Sequence, residues 1–417
     1  MFLYQKGTGL LETHVTWEDV EEELAKALGI PCKMGPNRTA TLIGEGEGYL
    51  SRIALIEPDW LENGDELPQK VCVKIVSQLP LMEYDEESAK TEKMQVLYKN
   101  MHDNECTTYA IFEKYRTPEL KIAKIITSRQ FSPENLFKGF LILPFFDRLE
   151  KLHIVDNIEL KDVTKVLQAI AEINCVTLKM SEEEKDKISK NMFSTVCGTY
   201  FTEHHINYMS RKVRDFLGRD YPELCDRLDE VKFDICSKEA FQKLDNLCEE
   251  LGKLINHSMQ RKVGMIPLLS HGDLWSTNIL WSKKDEEYYL EAVIDWQSPA
   301  FSSPAIDICS FICSALPGEE RVKNTDRILE EYYAILSAKV QGPMPFTLDQ
   351  LKMSYIHIFP FHCLEIIGTL VGVYDDWLKD PEMKGRLPDE KVVLEKMLQL
   401  LRDILVYYDK EKTLEKV

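Results

Sequence analysis

The chain has 417 residues, of which 44% are hydrophobic and 29% charged. That is an ordinary globular composition, with room for a large core and for more than one lobe. Lys and Arg total 51 against 70 Asp and Glu, a net charge of −19. Such a field repels phosphate backbones and anionic lipid heads, which excludes nucleic acid as the expected partner and leaves neutral or cationic small molecules open.

The start, MFLYQKGTGLLETHVTWEDV, lacks a basic stretch followed by a long apolar run, so no signal peptide is expected. No stretch reads as the roughly 18 apolar residues of a membrane helix. The longest candidate, GFLILPFF at 139–146, is short and broken by Pro144. The chain has 11 cysteines, none in a Cys-x-x-Cys pair, and predicts reduced, mostly buried thiols in a cytoplasmic protein. Cys309 and Cys313 lie one helical turn apart, but no second pair or nearby His completes a zinc site.

In chain order, TWEDVEEELAKAL at 16–28 predicts a helix with Thr16 as N-cap and Asp19 three residues on, and with Val20, Leu24 and Leu28 on one stripe. Strand-like runs follow: TATLIG (39–44), RIALIE (52–57), VCVKIVS (71–77), KIAKIIT (121–127) and GFLIL (139–143). NECTTYAIFEKY at 104–115 reads as a helix inserted among them. The second half is mostly helical. Val163, Val166, Leu167, Ile170 and Ile173 share one face, and Phe241, Leu244, Leu247, Cys248, Leu251, Leu254 and Ile255 share another. Val392, Val393, Met397, Leu400, Leu401 and Ile404 repeat the pattern. Only 278–295 breaks it, as a hairpin: NILW, the polar turn SKKDEE, then YYLEAVID. The expected fold is α+β in two lobes, a sheet-bearing N-lobe over 1–145 and a mainly helical C-lobe over 146–417.

LLSHGDLWSTNILW at 269–282 puts Asp273 and Asn278 into an apolar frame just before that hairpin. Asp and Asn also serve plain turns. A hairpin, however, returns the chain to its start, so Asp273, Asn278 and Asp295 of AVIDWQ can converge. Mg²⁺ takes oxygen ligands from one or two carboxylates or amides, with phosphates and water completing its shell. Asn278 and Asp295 are the expected ligands, which leaves Asp273 to accept a proton from a hydroxyl nucleophile. Elsewhere, VCVKIV puts Lys74 on the strand face opposite Val71, Val73 and Ile75, a candidate for nucleotide phosphates. Gly44, Gly46 and Gly48 sit between two strands, where backbone amides can approach phosphate. Glu105, read as opening the helix after the third strand, is the candidate ion-pair partner of Lys74. Each feature alone has a plainer reading as a turn, an edge lysine or a solvated carboxylate. Their order, Gly loop, strand Lys, helix Glu, HGDxxxxN, hairpin, Asp, is that of a protein-kinase-like fold, with an antiparallel-sheet N-lobe.

HGDLWSTN resembles the HxDxxxxN catalytic loop of the aminoglycoside phosphotransferase and choline kinase superfamily, and VIDWQ resembles its metal-binding motif. The fuller strings LLSHGDLWSTNILW and IDWQSPAFSSPAIDICSFI are similar to the CHK kinase-like branch, which includes ecdysteroid-kinase-like proteins. The resemblance spans roughly residues 35–380. It implies Asp273 as catalytic base, Asn278 and Asp295 as Mg²⁺ ligands, Lys74 with Glu105 as the anchor of the ATP phosphates, and 143–147 as the hinge beside adenine. Two departures stand out: Gly272 replaces the Arg of protein kinases, and the glycine loop is GxGxG with Glu45 and Glu47 inside it. Ser51 is a further candidate for phosphate there.

Only eleven residues separate Asp295 from Asp307 in SPAIDI, too few for a peptide-binding platform, so the expected acceptor is a small-molecule hydroxyl. Asp307 is expected to brace the catalytic loop, and His271 to bond backbone rather than move protons. His204–His205 read as surface residues. Trp296, Phe301, Tyr374 and Trp377 with Asp375 and Asp376 fit either an amine-binding box or packed core. The expectation is an ATP- and Mg²⁺-dependent phosphotransferase. Its rivals are a nucleotide-binding pseudokinase or scaffold without turnover, and a metal-dependent hydrolase that would need a second cluster of ligands.

Overall fold

The computed structural model describes residues 2–44, 50–147, 149–188, 192–259, 264–285 and 287–416. It comprises two compact units, Met1–Arg116 with Ile122–Leu149 and Asp295–Ser298, and Thr117–Lys121 with Glu150–Ile294 and Pro299–Val417. The division falls at 149/150 beside the expected 145/146, and Asp295–Ser298 counts with the first unit.

In the first unit, β1 (Thr39–Ile43), β2 (Ser51–Glu57), β3 (Val71–Val76), β4 (Thr127–Arg129) and β5 (Phe140–Pro144) form one sheet in the order β1-β2-β3-β5-β4. Every pairing in it is antiparallel. Side chains alternate across a sheet. Ala54, Ile56, Val71, Val73, Ile75, Phe140 and Ile142 turn one way and are fully buried with Val20 and Leu24 of the helix Trp17–Leu28. Lys74 turns the other way, level with Ile53 on β2 and Leu141 on β5. The helix Trp17–Leu28 starts in the expected capping box of Thr16 and Asp19 and stops at Gly29, whose φ of 73° a residue without Cβ adopts freely. Asp19 also accepts from Arg129 Nη1 at 2.6 Å and Lys138 Nζ at 2.7 Å, which ties the helix to the β4 edge. Leu28, expected on the buried stripe, is exposed.

Two expectations shift. KIAKIIT is not a strand over 121–127; β4 starts at Thr127, because Arg116 takes the Ile122 and Ala123 carbonyls at 3.0 and 3.5 Å and leaves them out of any ladder. The inserted helix runs Glu92–Lys114, capped by Thr91, so Glu105 stands in its middle rather than at its start.

In the second unit, Val163, Val166, Leu167, Ile170 and Ile173 of the helix Leu160–Thr177 are buried, as are Val393, Met397, Leu400, Leu401 and Ile404 of Glu390–Leu414. In Lys238–Met259 the buried face runs through Phe241, Leu244, Leu247, Cys248 and Leu251. The side chains of Leu254 and Ile255 lie outside the described set. Val392 is exposed. The hairpin is β8 (Ile279–Lys284) and β9 (Glu287–Val293), with Ile279 opposite Val293; β6 (Glu150–Lys151) adds to it. β7 (Leu268–Ser270) pairs with β10 (Ala300–Ser302). One expectation fails on length. The helix Leu348–Lys379 contains an 18-residue window of mean hydropathy 1.6, long and apolar enough to cross a membrane, and 72% of that window is buried inside the protein. It packs on Ala305–Ala315 and Glu390–Leu414, so its apolar character is that of a core helix.

Candidate active site

β3 carries Lys74 to the sheet face away from the core, and the helix Glu92–Lys114 brings Glu105 to it. Lys74 Nζ donates to Glu105 Oε1 at 3.0 Å and Oε2 at 2.8 Å, and to Asp295 Oδ1. Glu105 has only 2% of its surface exposed, so this is a desolvated, two-pronged ion pair rather than a surface contact. Burial alone would lower the lysine, but the Asp295 and Glu105 carboxylates outweigh it and hold the ammonium above its ordinary range. Burial pushes Glu105 up to about 7 against the pull of Lys74 and the Trp296 backbone. Asp295 has φ of 66°, a left-handed conformation that a side chain adopts at some cost. Beyond it, the fully buried Trp296 sets its ring against Phe112 of the Glu105 helix, with centroids 4.6 Å apart. The helix that aims Glu105 is thereby packed on the segment that carries Asp295.

The HGDLWSTN loop in the second unit is held from both ends. The Asp307 carboxylate accepts His271 N–H at 2.8 Å and Gly272 N–H at 3.0 Å. Burial pushes Asp307 up to about 7, opposed by these two donors. Gly272 has φ of 78°, which suits glycine and explains why no Arg stands there. His271 Nε2 lies 2.8 Å from the Ile294 carbonyl, and Asp273 N–H donates to His271 Nδ1 at 3.2 Å. The ring is thus a neutral imidazole protonated on Nε2, spent on backbone. Asn278 Nδ2 donates to the Asp273 carbonyl at 2.8 Å, which leaves its Oδ1 as the atom for a cation. Ile294 N–H donates to the Asn278 carbonyl at 3.0 Å, so the hairpin returns the chain to its own start. From below, Asn174 donates to the Leu269 carbonyl at 2.9 Å and Leu269 N–H donates to Thr177 Oγ1 at 2.8 Å.

Lys74, Glu105 and Asp295 meet, and so do His271, Gly272, Asp273, Asn278 and Asp307. Gly44 ends β1 with φ of 67°; Gly46 and Gly48 lie outside the described residues. Ser51 opens β2 opposite Val76, on the Lys74 face of the sheet. Of the aromatic set, Trp296 lies buried on Phe112 and Tyr374 buried edge-on to Phe216, Asp375 pairs with Lys212 and Lys379, and Phe301 and Trp377 are half-buried. Of the two histidines expected at the surface, His204 is exposed and His205 is half-buried, edge-on to Phe201.

Sequence reasoning missed Glu365. It stands on the helix Leu348–Lys379 in the field of Asp273, and burial, then the Asp273 charge, push its carboxyl up to about 8. The signal was a lone carboxylate in the apolar run FPFHCLEIIGTLV.

Among curated proteins, "Uncharacterized kinase-like protein D1044.1" of Caenorhabditis elegans is 24% identical over 307 residues, 74% of this chain and 75% of that one. "Uncharacterized oxidoreductase dhs-27" of the same organism is 21% identical over 335 residues, 77% of this chain but 38% of that protein's length. Among solved structures, Plasmodium vivax ethanolamine kinase is similar at a TM-score of 0.48 with 12% identity, covering 89% of this chain and 83% of that one. The name of the first relative agrees with the kinase-like resemblance carried by HGDLWSTN and VIDWQ. The model of one family, DUF1679, described as "Uncharacterized oxidoreductase dhs-27", matches residues 3–412, and the chain belongs to that family.

Proposed function

We propose that the chain is a phosphotransferase that moves the γ-phosphate of ATP to a hydroxyl of a small molecule. The observation that carries this reading is Lys74, a half-buried lysine whose ammonium is bracketed by Glu105 and Asp295 on a sheet face turned from the core. A lysine so pinned is a fixed positive charge for the α- and β-phosphates, and Glu105 keeps it aimed. The backbone of 143–147 is the adenine-side hinge in this reading, with Gly44 and Ser51 near the phosphates.

In this reading Mg²⁺ would take the Asp295 carboxylate and the Asn278 Oδ1 amide oxygen, each a hard ligand of the kind the ion prefers, with phosphates to fill the rest. When bound, the ion neutralises charge on the phosphates. Asp273 orients the acceptor hydroxyl and takes its proton at a carboxylate oxygen. Asp307 and His271 hold the loop that carries it. The net charge of −19 supports a neutral or cationic acceptor. The eleven free thiols support a reducing compartment.

The test is incubation with γ-labelled ATP, Mg²⁺ and a pooled extract of small metabolites, run beside Asp273→Asn. Transfer of label to an organic acceptor is expected. The variant should keep ATP affinity and melting temperature while losing on the order of 10²-fold or more in turnover. ATP binding without transfer in the native chain points to the scaffold reading, and equal turnover in the variant removes Asp273 from the chemistry.

A further inference from the structure

Cys309 and Cys313 share a face of the helix Ala305–Ala315, and the helix Leu348–Lys379 adds Cys363 to them. The three sulfurs lie within 4.8 Å of one another, and Cys363 Sγ donates to Cys313 Sγ at 3.3 Å. All three are fully buried free thiols. Sulfur so buried among apolar atoms alone behaves as a small hydrophobe. This cluster has other company. Arg321, 1% exposed and bonded to Asp403 at 2.7 Å, puts its charge in the field of Cys313 and Cys363. The buried Tyr355 hydroxyl acts on Cys313 and has no other hydrogen-bond partner among the described residues. Burial pushes Cys313 up, yet Cys309, Cys363, Arg321 and Tyr355 together bring it well below the ordinary thiol range.

We propose that Cys309, Cys313 and Cys363 form a binding site for a thiophilic d¹⁰ cation, held by three sulfurs, with Cu(I) as the ion that fits it. Soft thiolates select Cu(I) and Zn(II) over the hard cation of the phosphotransfer reading. Structural Zn(II) almost always takes four ligands. Here the described His, Cys, Asp and Glu side chains supply three, which matches Cu(I) in a three-coordinate shell. Binding displaces the remaining S–H protons to solvent, and Arg321 offsets the negative charge left on sulfur. Because the sulfurs are fully buried, the ion enters while the chain folds. The site stands independently of the phosphotransferase reading.

The test is metal content after anaerobic purification of the full chain from cells grown with added copper and, in parallel, with added zinc. One copper per chain that survives desalting is expected, with X-ray absorption at the copper edge counting three sulfurs and no nitrogen or oxygen neighbours. Cys313→Ser and Cys363→Ser should lose the copper, while Cys248→Ser, a buried cysteine outside the cluster, should keep it. Should the serine variants fail to fold, the sulfur count on the native chain decides alone. Absence of retained copper, a shell containing nitrogen or oxygen, or four-coordinate zinc taken up in its place would overturn the proposal.

Discussion

At the scale of single residues, a carboxylate that accepts two backbone N–H groups fixes a loop even where burial opposes its charge. Asp307→Ala leaves the His271 and Gly272 N–H groups without their acceptor. Each buried orphan costs about 1–3 kcal/mol, offset in part by removing a carboxyl that burial already disfavours. A net loss near 1–3 kcal/mol in urea denaturation is therefore expected. Turnover should fall further than nucleotide affinity, since the loop carries the base. Glu105 gives a pH signature. Its carboxyl sits up at about 7, so above that pH it is ionised and clamps Lys74, and below it the clamp weakens. Nucleotide affinity should fall as pH drops through 7, and Glu105→Gln should remove the step and leave affinity low throughout. The stability term runs the opposite way. A folded value above the unfolded one of about 4.3 means the folded chain binds the extra proton in that window, so this group favours folding more as pH falls from 7 towards 4. Weaker binding at pH 6 with a melting temperature that holds or rises would thus be titration, not unfolding; a flat affinity profile would remove Glu105 from the clamp. Lys74, Asp273, Asn278, Asp295 and Asp307 were legible in the sequence because each is a polar side chain in an otherwise apolar frame. Glu365 and Cys363 were not, since their partners lie 92 and 50 residues away, a separation that local pattern does not carry.

At the scale of elements, periodicity was read well wherever one face is buried and the other is not. The β3 alternation is the clearest case, because a core on one side and Lys74 on the other leave no second register. KIAKIIT misled for the converse reason. Ile122 and Ala123 are buried, but their carbonyls are taken by an arginine side chain that no pattern announces, and Ile125 and Ile126 are only half-buried. The helix start before Glu105 was missed because Glu92–Met101 is half-exposed and weakly amphipathic, so its cap at Thr91 is the stronger signal. The division of labour across the sheet is testable. Leu24 of the helix Trp17–Leu28 is fully buried on the face away from Lys74. Leu24→Ala should cost about 2–5 kcal/mol as a core cavity while leaving turnover per folded molecule unchanged. A loss of turnover out of proportion to the unfolded fraction, measured by activity against circular dichroism, would show that the two faces are coupled.

For the molecule as a whole, the family description carries the word oxidoreductase, and the prediction that follows from the described strands is that hydride transfer will not be found. A nicotinamide dinucleotide is held across the carboxyl ends of parallel strands, where a Gly-rich turn leads into a helix whose N-terminus faces the pyrophosphate. Among the described residues every strand pairing here is antiparallel, in both units. The next described element after β1 is its antiparallel neighbour β2. The relative that bears the name is matched over only 38% of its length, so the name describes a larger protein than the part this chain resembles. Incubation with NADH or NADPH and a panel of carbonyl compounds should therefore leave the nicotinamide absorbance unchanged, while ATP raises the melting temperature in a concentration-dependent way. Turnover of the nicotinamide, or stabilisation by NADPH but not by ATP, would place the redox reading above the phosphotransferase one. The expected pair of results is ATP stabilisation with no hydride transfer, because a lysine clamped between two carboxylates suits a phosphate chain and offers nothing to a nicotinamide ring.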